Sequence, residues 1–274
     1  MPSNVVTRTI TTLSICLCLA ACATSPTGHR QLQLFSTNEM AQLGDESYTQ
    51  IKQQTPVSQN PAINNYVVCV TQALTRVVPP PQGSKSWKVT VFQKNEANAF
   101  ALPGGNIGVY TGMLKVTQNE AQLAAVLGHE IGHVEAHHAN ARLSTEYATQ
   151  AGLNLVGALA GAPDSATSKQ VMSLLGLGAQ VGIILPYSRA QETEADQLGL
   201  QYMAKAGFDP RQAVNLWQNM EKQASGQAPP QFLSTHPASA ARIQDLEKHM
   251  PQAMTLYEQA KAQGRNPQCQ QPAG

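Results

Sequence analysis

The sequence predicts an α+β fold that is mostly α-helical, and two patterns carry this prediction. Apolar residues recur at helical spacing in several long segments, most clearly from Asn119 to Val134. Alternation of apolar and polar residues, which is typical of half-buried strands, is confined to a short region between Trp87 and Tyr110. The roughly 250 residues that follow the N-terminal apolar segment suffice for one core, and no boundary indicates a second domain.

Capping residues, prolines and glycines set the expected limits of the individual elements. Ser36 or Thr37 can cap the first helix, and Pro61 suits the first turn of the second. Membrane contact by the Ala/Gly-rich residues 151–186 stays open as an alternative to two helices that cover a cleft. In chain order we expect a tether over 24–33, helices over 36 or 37 to about 54 and 61 to about 78, strands over 87–92, 97–102 and 106–110, a helix from 117 or 119, two small-residue helices within 151–186, a helix to about 206 and another from Pro210.

The stretch Gly128-His-Glu-Ile-Gly-His133 is the most specific indication of chemistry. Residues four apart lie on one face of an α-helix, so His129 and His133 can bind the same metal ion. Glu130 lies beside the first histidine, where it can take a proton from a water on that metal. The alternative is a surface helix that carries these residues by chance.

A catalytic zinc site needs a third protein ligand, and a second helix can supply it. A histidine further along the same segment is excluded, because Ala139 occupies the position where that class of site has one. Glu192 and Asp196 are four apart and share a helix face. Glu192 can therefore bind the metal while Asp196 accepts the second ring N–H of a ligand histidine. An ordinary polar helix face is the alternative.

Three other polar residues near these ligands are not expected to serve the metal. Glu194 lies two positions after Glu192, on the opposite side of its helix, and is expected to be solvated. His137 and His138 are expected to turn away from the metal, with His138 as a packing or hydrogen-bonding residue.

The N-terminus has the pattern of a bacterial lipoprotein leader. Residues 1–21 contain one basic residue and an apolar run that is too short for a confident membrane span. The run ends in Leu19-Ala-Ala-Cys22, which resembles a lipobox, so cleavage before Cys22 and its lipidation are expected. By the same resemblance, Ala23 favours the outer membrane, facing the periplasm. A plain cleaved signal peptide is the alternative.

The remaining cysteines and the charge restrict the other possibilities. Once the leader and Cys22 are set aside, Cys69 and Cys269 form an even pair in an oxidising compartment, which favours a disulfide over two buried thiols. The net charge is +1, charged residues are 13% of the chain, and no basic cluster is present. Nucleic acid is therefore not expected as a partner.

These motifs together resemble the gluzincin endopeptidases of peptidase family M-forty-eight, the group related to HtpX, BepA and LoiP and to the CAAX prenyl proteases. The matching segments occur in the family's order and spread over most of the chain. They are residues 98–105, 128–133, 188–189, 192–196 and 236–237.

The resemblance implies a zincin-like (gluzincin) fold with a small antiparallel sheet beside the histidine-bearing helix. It implies one zinc per chain, held by His129, His133 and Glu192, with Glu130 as general base and Asp196 behind a ligand histidine. The expected organisation is a leader over 1–21, a lipidated tether over 22–37, a metallopeptidase domain over 38–264 and a tail over 265–274.

Two further regions take a meaning from the resemblance. Asn98, Ala99 and Phe100 lie on a predicted edge strand, which could bind an extended substrate beside the metal, and a plain hairpin is the alternative. In some relatives a histidine at the position of His236 reaches the metal or stabilises the oxyanion, and Arg242 shares the helix that follows. A histidine that caps this helix is the alternative.

The expected function is that of a zinc-dependent endopeptidase of the bacterial envelope. Its expected substrates are unfolded or misassembled outer-membrane proteins, and its expected anchor is the lipid on Cys22. The alternative is a non-catalytic periplasmic factor that binds such proteins in the same cleft. The intact Glu130 argues against this alternative, because a pure binder gains nothing from a base beside the metal.

Overall fold

The computed structural model describes residues 22–159, 187–224, 231–237 and 239–272, and the predicted mostly helical α+β class is confirmed. A 3₁₀ turn at Thr111–Lys115 follows the last strand. The strands are β1 (Cys22–Thr24), β2 (Arg30–Leu32), β3 (Lys88–Phe92), β4 (Ala99–Leu102) and β5 (Asn106–Tyr110). The helices are α1 (Thr37–Gln54), α2 (Pro61–Thr75), α3 (Glu120–Glu135), α4 (His138–Leu159), α5 (Arg189–Ala206), α6 (Arg211–Ala224), α7 (Phe232–Thr235) and α8 (Ala240–Ala262).

Side-chain caps define the ends of the helices that carry the site. Asn119 accepts a hydrogen bond from the Gln122 N–H at the start of α3. Ser188 begins α5 with a capping box that includes Gln191, and Gly207 ends it in the left-handed conformation at φ 93°. These ends fix where residues 129–133 and 192–196 lie on their helices.

The three-stranded sheet is mixed, whereas the resemblance to the gluzincins implied an antiparallel one. Its order is β3-β5-β4, with β4 antiparallel and β3 parallel to the central β5. The tight Pro103-Gly-Gly turn folds β5 back between β4 and β3. Because β3 and β4 run in opposite directions on either side of it, β5 must be parallel to one of them.

Helix α3 lies at the centre of the core. Every residue from Ala121 to Val134 is buried, and the helix contacts α5, α6, α2 and strand β4. A second apolar cluster, formed by Tyr48, Phe92, Phe100, Leu102 and Tyr110, fills the space between α1 and the sheet. The metal-ligand motif is therefore held on a helix that is packed on all sides.

The segment predicted to be a tether contains a hairpin that packs on the domain. Strands β1 and β2 pair in antiparallel register from Cys22–Leu32 to Thr24–Arg30. The Gln31 side chain donates to the Ala136 carbonyl at 2.7 Å, which attaches the hairpin to the end of α3. The backbone of the hairpin thus finds partners in its own two strands and in the domain.

A disulfide joins Cys69 on α2 to Cys269 in the C-terminal tail, with their Cα atoms 5.7 Å apart. The Cys269 backbone N–H also donates to the Glu120 carboxylate at the start of α3. The two cysteines are 200 residues apart in the sequence, and closing a loop of this length stabilises a fold by several kcal/mol in the chain-entropy model. The tail over 265–272 is thereby held against the helices that support the site.

Several predicted features lie outside the described residues. They are the leader over 1–21, the segment from 160 to 186, in which the cleft-covering helices were expected, and the break over 226–230. Within the described part of the chain, none of the helices is both long and apolar enough to cross a bilayer.

Candidate metal centre

Helix α3 brings His129 and His133 together on its buried face. Their Nε2 atoms are 3.1 Å apart, and each residue is 2% exposed. The helix that carries them can approach α5 closely, because Gly128 and Gly132 face the α5 backbone. The predicted pair of histidines is therefore positioned for one shared metal ion.

Helix α5 supplies Glu192 to the same point. Its Oε2 is 3.5 Å from His129 Nε2, and its Oε1 is 3.4 Å from His133 Nε2. Donor atoms about 2.0–2.1 Å from one tetrahedral ion are themselves roughly 3.3–3.4 Å apart, so these three side chains have the spacing of a tetrahedral ligand set. Burial opposes ionisation, but the neighbouring rings of His133, His236 and His129 outweigh it and hold the pKa of Glu192 well below its usual value.

Asp196 and Arg242 support these ligands from behind. The His129 Nδ1 lies 2.9 Å from Asp196 Oδ1. Arg242 donates to both oxygens of Asp196, each at 2.7 Å, and its Nη1 is 2.7 Å from Glu192 Oε2. Burial opposes ionisation of Asp196, but the Arg242 guanidinium beside it lowers the pKa of this carboxyl below its usual value. Arg242 therefore holds two carboxylates.

The hydrogen bonds around the histidines test whether a metal ion fits this cluster. Ionised Asp196 can only accept, so His129 carries a proton on Nδ1, and neutral His129 then has a lone pair on Nε2. That lone pair points at the neighbouring His133 Nε2 and at Glu192, both of which are also donors of electron pairs to a metal. Such a buried group of electron-pair donors calls for a cation between them, and two histidines with one carboxylate suit zinc.

Glu130 has no role in holding the ligands. It is 3% exposed, and its Oε1 atom is buried without a hydrogen-bond partner. Burial raises the pKa of its carboxyl above the usual value, although His236 and His129 oppose this effect. A buried carboxylate with one oxygen that makes no hydrogen bond, beside a metal site, is suited to accept a proton.

His236 is the fourth member of the cluster. Its Nδ1 is 3.1 Å from His129 Nε2 and 3.0 Å from Glu192 Oε1, and its Nε2 is 3.3 Å from Glu130 Oε1. Together with His129, His133 and Glu192 it forms a buried group whose ligand atoms lie within 4.8 Å of one another. The cap of α8 is Ser239, which accepts from the Arg242 N–H, so His236 is not the cap that the sequence analysis kept as an alternative.

Strand β4 is an edge strand of the described sheet and passes beside the site. The Asn98 carbonyl accepts from Tyr110 N–H at 3.0 Å, so the alternate residues Ala99 and Ala101 direct their backbone groups away from β5. The Asn98 side chain accepts from the Ala99 N–H, and the carbonyl of Ala97 accepts from Phe232 at the start of α7. Of the predicted edge residues Asn98, Ala99 and Phe100, only Ala99 presents its backbone outward.

One expectation about a neighbouring residue is wrong, and another is only partly right. Glu194 is 2% exposed and accepts hydrogen bonds from Thr27 of the N-terminal hairpin, because that hairpin covers the side of α5 that was expected to face solvent. His138 is the hydrogen-bonding residue that was expected, but it contacts a ligand histidine instead of turning away. The chain leaves the helix at His137, which has φ 54°, and this break brings the His138 Nδ1 within 2.8 Å of His133 Nδ1.

Tyr187 is a neighbour of the site that the sequence analysis did not identify. Its ring stacks on that of His133, with the ring centroids 3.8 Å apart. The Cζ atom of the Arg142 guanidinium lies over the Tyr187 ring, 3.8 Å from its centroid. Burial raises the pKa of Tyr187 to about 12, so it stays neutral. Its position directly before the α5 cap Ser188 was the one available signal.

With this geometry established, known proteins give the context of the chain. The family described as Peptidase family M48 matches residues 61–250. The chain belongs to this metallopeptidase family. The matched region contains every residue of the four-membered cluster and Glu130, Asp196 and Arg242.

Three curated relatives show how far the similarity extends. The mitochondrial metalloendopeptidase OMA1 of Schizosaccharomyces pombe is 32% identical over 219 residues, which cover 79% of this chain and 62% of that protein. The Saccharomyces cerevisiae protein of the same name is 35% identical over 64% of this chain and 50% of its own length. The beta-barrel assembly-enhancing protease of Yersinia pestis is 32% identical over 78% of this chain and 44% of its own length. The chain thus spans about half the length of these relatives.

Proposed function

We propose that this chain is a zinc-dependent endopeptidase that cleaves unfolded or misassembled proteins of the bacterial outer membrane. The observation that carries the proposal is the close grouping of His129, His133 and Glu192, at the spacing of tetrahedral ligands, beside a buried carboxylate, Glu130, whose Oε1 makes no hydrogen bond. Membership in a metallopeptidase family supports peptide hydrolysis as the reaction. The alternative of a non-catalytic binding factor leaves the buried Glu130, whose Oε1 makes no hydrogen bond, without a purpose.

The side chains of the site divide the reaction between them. When bound, zinc would lower the pKa of a water molecule toward neutrality and polarise the scissile carbonyl. Glu130 takes the proton of that water and passes it to the leaving nitrogen. Asp196 and Arg242 keep the ligands in place, and the outward backbone of β4 offers an extended substrate a strand to pair with.

The place of action and the class of substrate rest on two lines of support. The leader ending at Cys22 supports a lipid anchor in the outer membrane, with the domain in the periplasm. The name of the Yersinia relative, a beta-barrel assembly-enhancing protease, supports envelope proteins as substrates. A Cys22→Ser variant should leave the outer-membrane fraction or stay unprocessed, and normal fractionation at the mature size would refute the anchor.

Metal-dependent cleavage is the direct test of the proposed reaction. Purified mature protein should contain about one zinc per chain and cut an unfolded protein such as casein at internal bonds. A chelator should abolish the cleavage, and added zinc should restore it. Zinc-loaded protein that binds unfolded chains without cutting them would favour the non-catalytic alternative.

His236 is proposed to control access to the metal, because its position conflicts with that of a reacting water. The Nδ1 atom lies 3.1 Å from His129 Nε2 and 3.0 Å from Glu192 Oε1, close enough to compete with a water for a metal held by these ligands. The same segment covers the β4 edge, where the Phe232 N–H donates to the Ala97 carbonyl at 2.9 Å. One movement of residues 231–237 would therefore open both the metal and the strand that would bind substrate.

A His236→Ala variant should raise cleavage of a generic unfolded substrate several-fold and leave the zinc content unchanged. The reason is that the closed state, in which the histidine occupies the position of the reacting water, would no longer be favoured. Initial rates and metal analysis on the same preparations measure both effects. Ser234→Ala, an exposed change in the same segment, is the matched control. If His236 instead stabilises the oxyanion, the turnover number falls steeply while KM stays nearly constant, and the gate is wrong.

A further inference from the structure

A second carboxylate of α5 reaches the other ligand histidine through an intermediate ring. His133 Nδ1 lies 2.8 Å from His138 Nδ1, and His138 Nε2 lies 3.3 Å from Glu194 Oε2. His138 is fully buried and Glu194 is 2% exposed. These three residues form a continuous hydrogen-bonded chain, which we term the His133–His138–Glu194 chain.

The N-terminal hairpin determines how Glu194 takes part in this chain. The Glu194 Oε1 atom accepts from the Thr27 backbone N–H at 3.2 Å and from the Thr27 hydroxyl at 2.7 Å. A backbone N–H can only donate, so the atom at the Oε1 position must be an acceptor. This leaves Oε2 as the atom that faces His138.

The direction of every proton in the chain follows from that arrangement. Ionised Glu194 can only accept, so His138 carries its proton on Nε2 and has a lone pair on Nδ1. The Nδ1 of His138 must then accept from His133, which places the His133 proton on Nδ1. The Nε2 of His133, the atom that faces Glu192 and His129, is left with a free lone pair. This is the form of histidine that binds a metal.

The two ligand histidines are thus supported by the same helix in two different ways. Asp196 contacts His129 directly, whereas Glu194 lies on another face of α5 and reaches His133 through His138. A carboxylate behind a metal-bound histidine fixes its tautomer and orientation, and its loss commonly weakens metal binding about 10- to 100-fold. The chain through His138 gives His133 an equivalent support.

We propose that Glu194, held by Thr27 of the N-terminal hairpin, acts through His138 as a positioning residue that sets the tautomer of His133 for metal binding. The inference rests on the proposed metal site. It makes residues 22–32 part of the metal centre, although they lie far from the ligands in sequence.

The Glu194→Gln variant separates this role from simple packing. Glutamine has the shape of glutamate, but Thr27 requires its amide oxygen at the Oε1 position, so its NH₂ group must face His138 Nε2. His138 then accepts at Nε2 and donates from Nδ1, which forces the His133 proton onto the metal-binding Nε2. Zinc affinity, measured by competition with a chromophoric chelator, should fall at least about tenfold, and the visible spectrum of the Co²⁺-substituted protein should change.

A second substitution should repair the first. In Glu194→Gln/His138→Asn the asparagine oxygen can take the place of His138 Nδ1 and accept from His133 without help from residue 194. Zinc affinity should then return to within about threefold of wild type. This loss is smaller than the loss of at least about tenfold expected for Glu194→Gln alone. Ser144→Ala is the control, because Ser144 ties Leu34 of the N-terminal segment to α4 without touching the three-residue chain. Denaturant unfolding of each metal-free variant checks that the fold is kept.

Two results would overturn the inference. One is a Glu194→Gln variant that binds zinc as tightly as the Ser144→Ala control. The other is a loss of affinity that the added His138→Asn change does not recover. A wild-type protein that binds no zinc at all is a different result, because it contradicts the proposed function itself.

Discussion

Replacement of Glu130 by glutamine should leave zinc binding intact and reduce peptide cleavage by about 10²- to 10⁴-fold, the range attributed to a general base. Glutamine preserves the shape of the side chain but cannot take the proton of the attacking water. Because Glu130 makes no hydrogen bond through Oε1 and is not a metal ligand, the ligand geometry should not change. Turnover of a quenched fluorescent peptide and metal analysis of the same sample measure the two effects.

Other carboxylate changes provide the comparison for this result. Glu135→Gln makes the same substitution two residues after His133 on α3, at a half-buried position outside the four-membered cluster, and should keep near wild-type activity. His129→Ala and Glu192→Ala should lose both activity and zinc. Full activity in Glu130→Gln would exclude it as the base, and loss of zinc in that variant would make it a ligand.

A Gly199→Ala substitution should damage the metal site without touching a ligand. A Cβ at Gly199 would lie 2.6 Å from the His129 backbone nitrogen and 2.8 Å from the Gly128 carbonyl carbon. No side-chain rotation relieves a clash with backbone, so α3 and α5 would have to separate. The ligands are divided between these two helices, and zinc affinity should therefore fall at least about tenfold, equivalent to roughly 1.4 kcal/mol.

The effect of this substitution on stability has two opposing parts. Alanine is favoured over glycine inside a helix by about 1 kcal/mol. Overpacking of a tight interface costs about 1–3 kcal/mol, so the metal-free variant should be less stable by about 1 kcal/mol. Gln201→Ala, a half-buried change two residues further on α5, is the control. Wild-type zinc affinity in Gly199→Ala would mean that the helix contact does not set the ligand geometry.

Local patterns in the sequence were sufficient for the two helices that carry His129, His133 and Glu192 and for most of the cluster. The four-residue spacing of His129 and His133 and of Glu192 and Asp196 requires only that each segment is helical, and the caps at Asn119 and Ser188 indicate where those helices begin. The mixed sheet was not predictable in this way. The pairing of β3 with β5 joins strands that are separated by a whole hairpin, and nothing in either strand specifies its direction.

The sequence by itself determined the chemistry that is possible here, because residue type and helical spacing fix which donor atoms share a face. The tertiary structure decided which partner each donor has. From the sequence, Glu194 is expected to be solvated because it lies on the side of its helix opposite to Glu192. Only the hairpin at Thr27 and the break at His137 make it a partner of the ligand His133. Such contacts join residues far apart in the chain, and helical periodicity describes a segment's own faces without specifying what covers them.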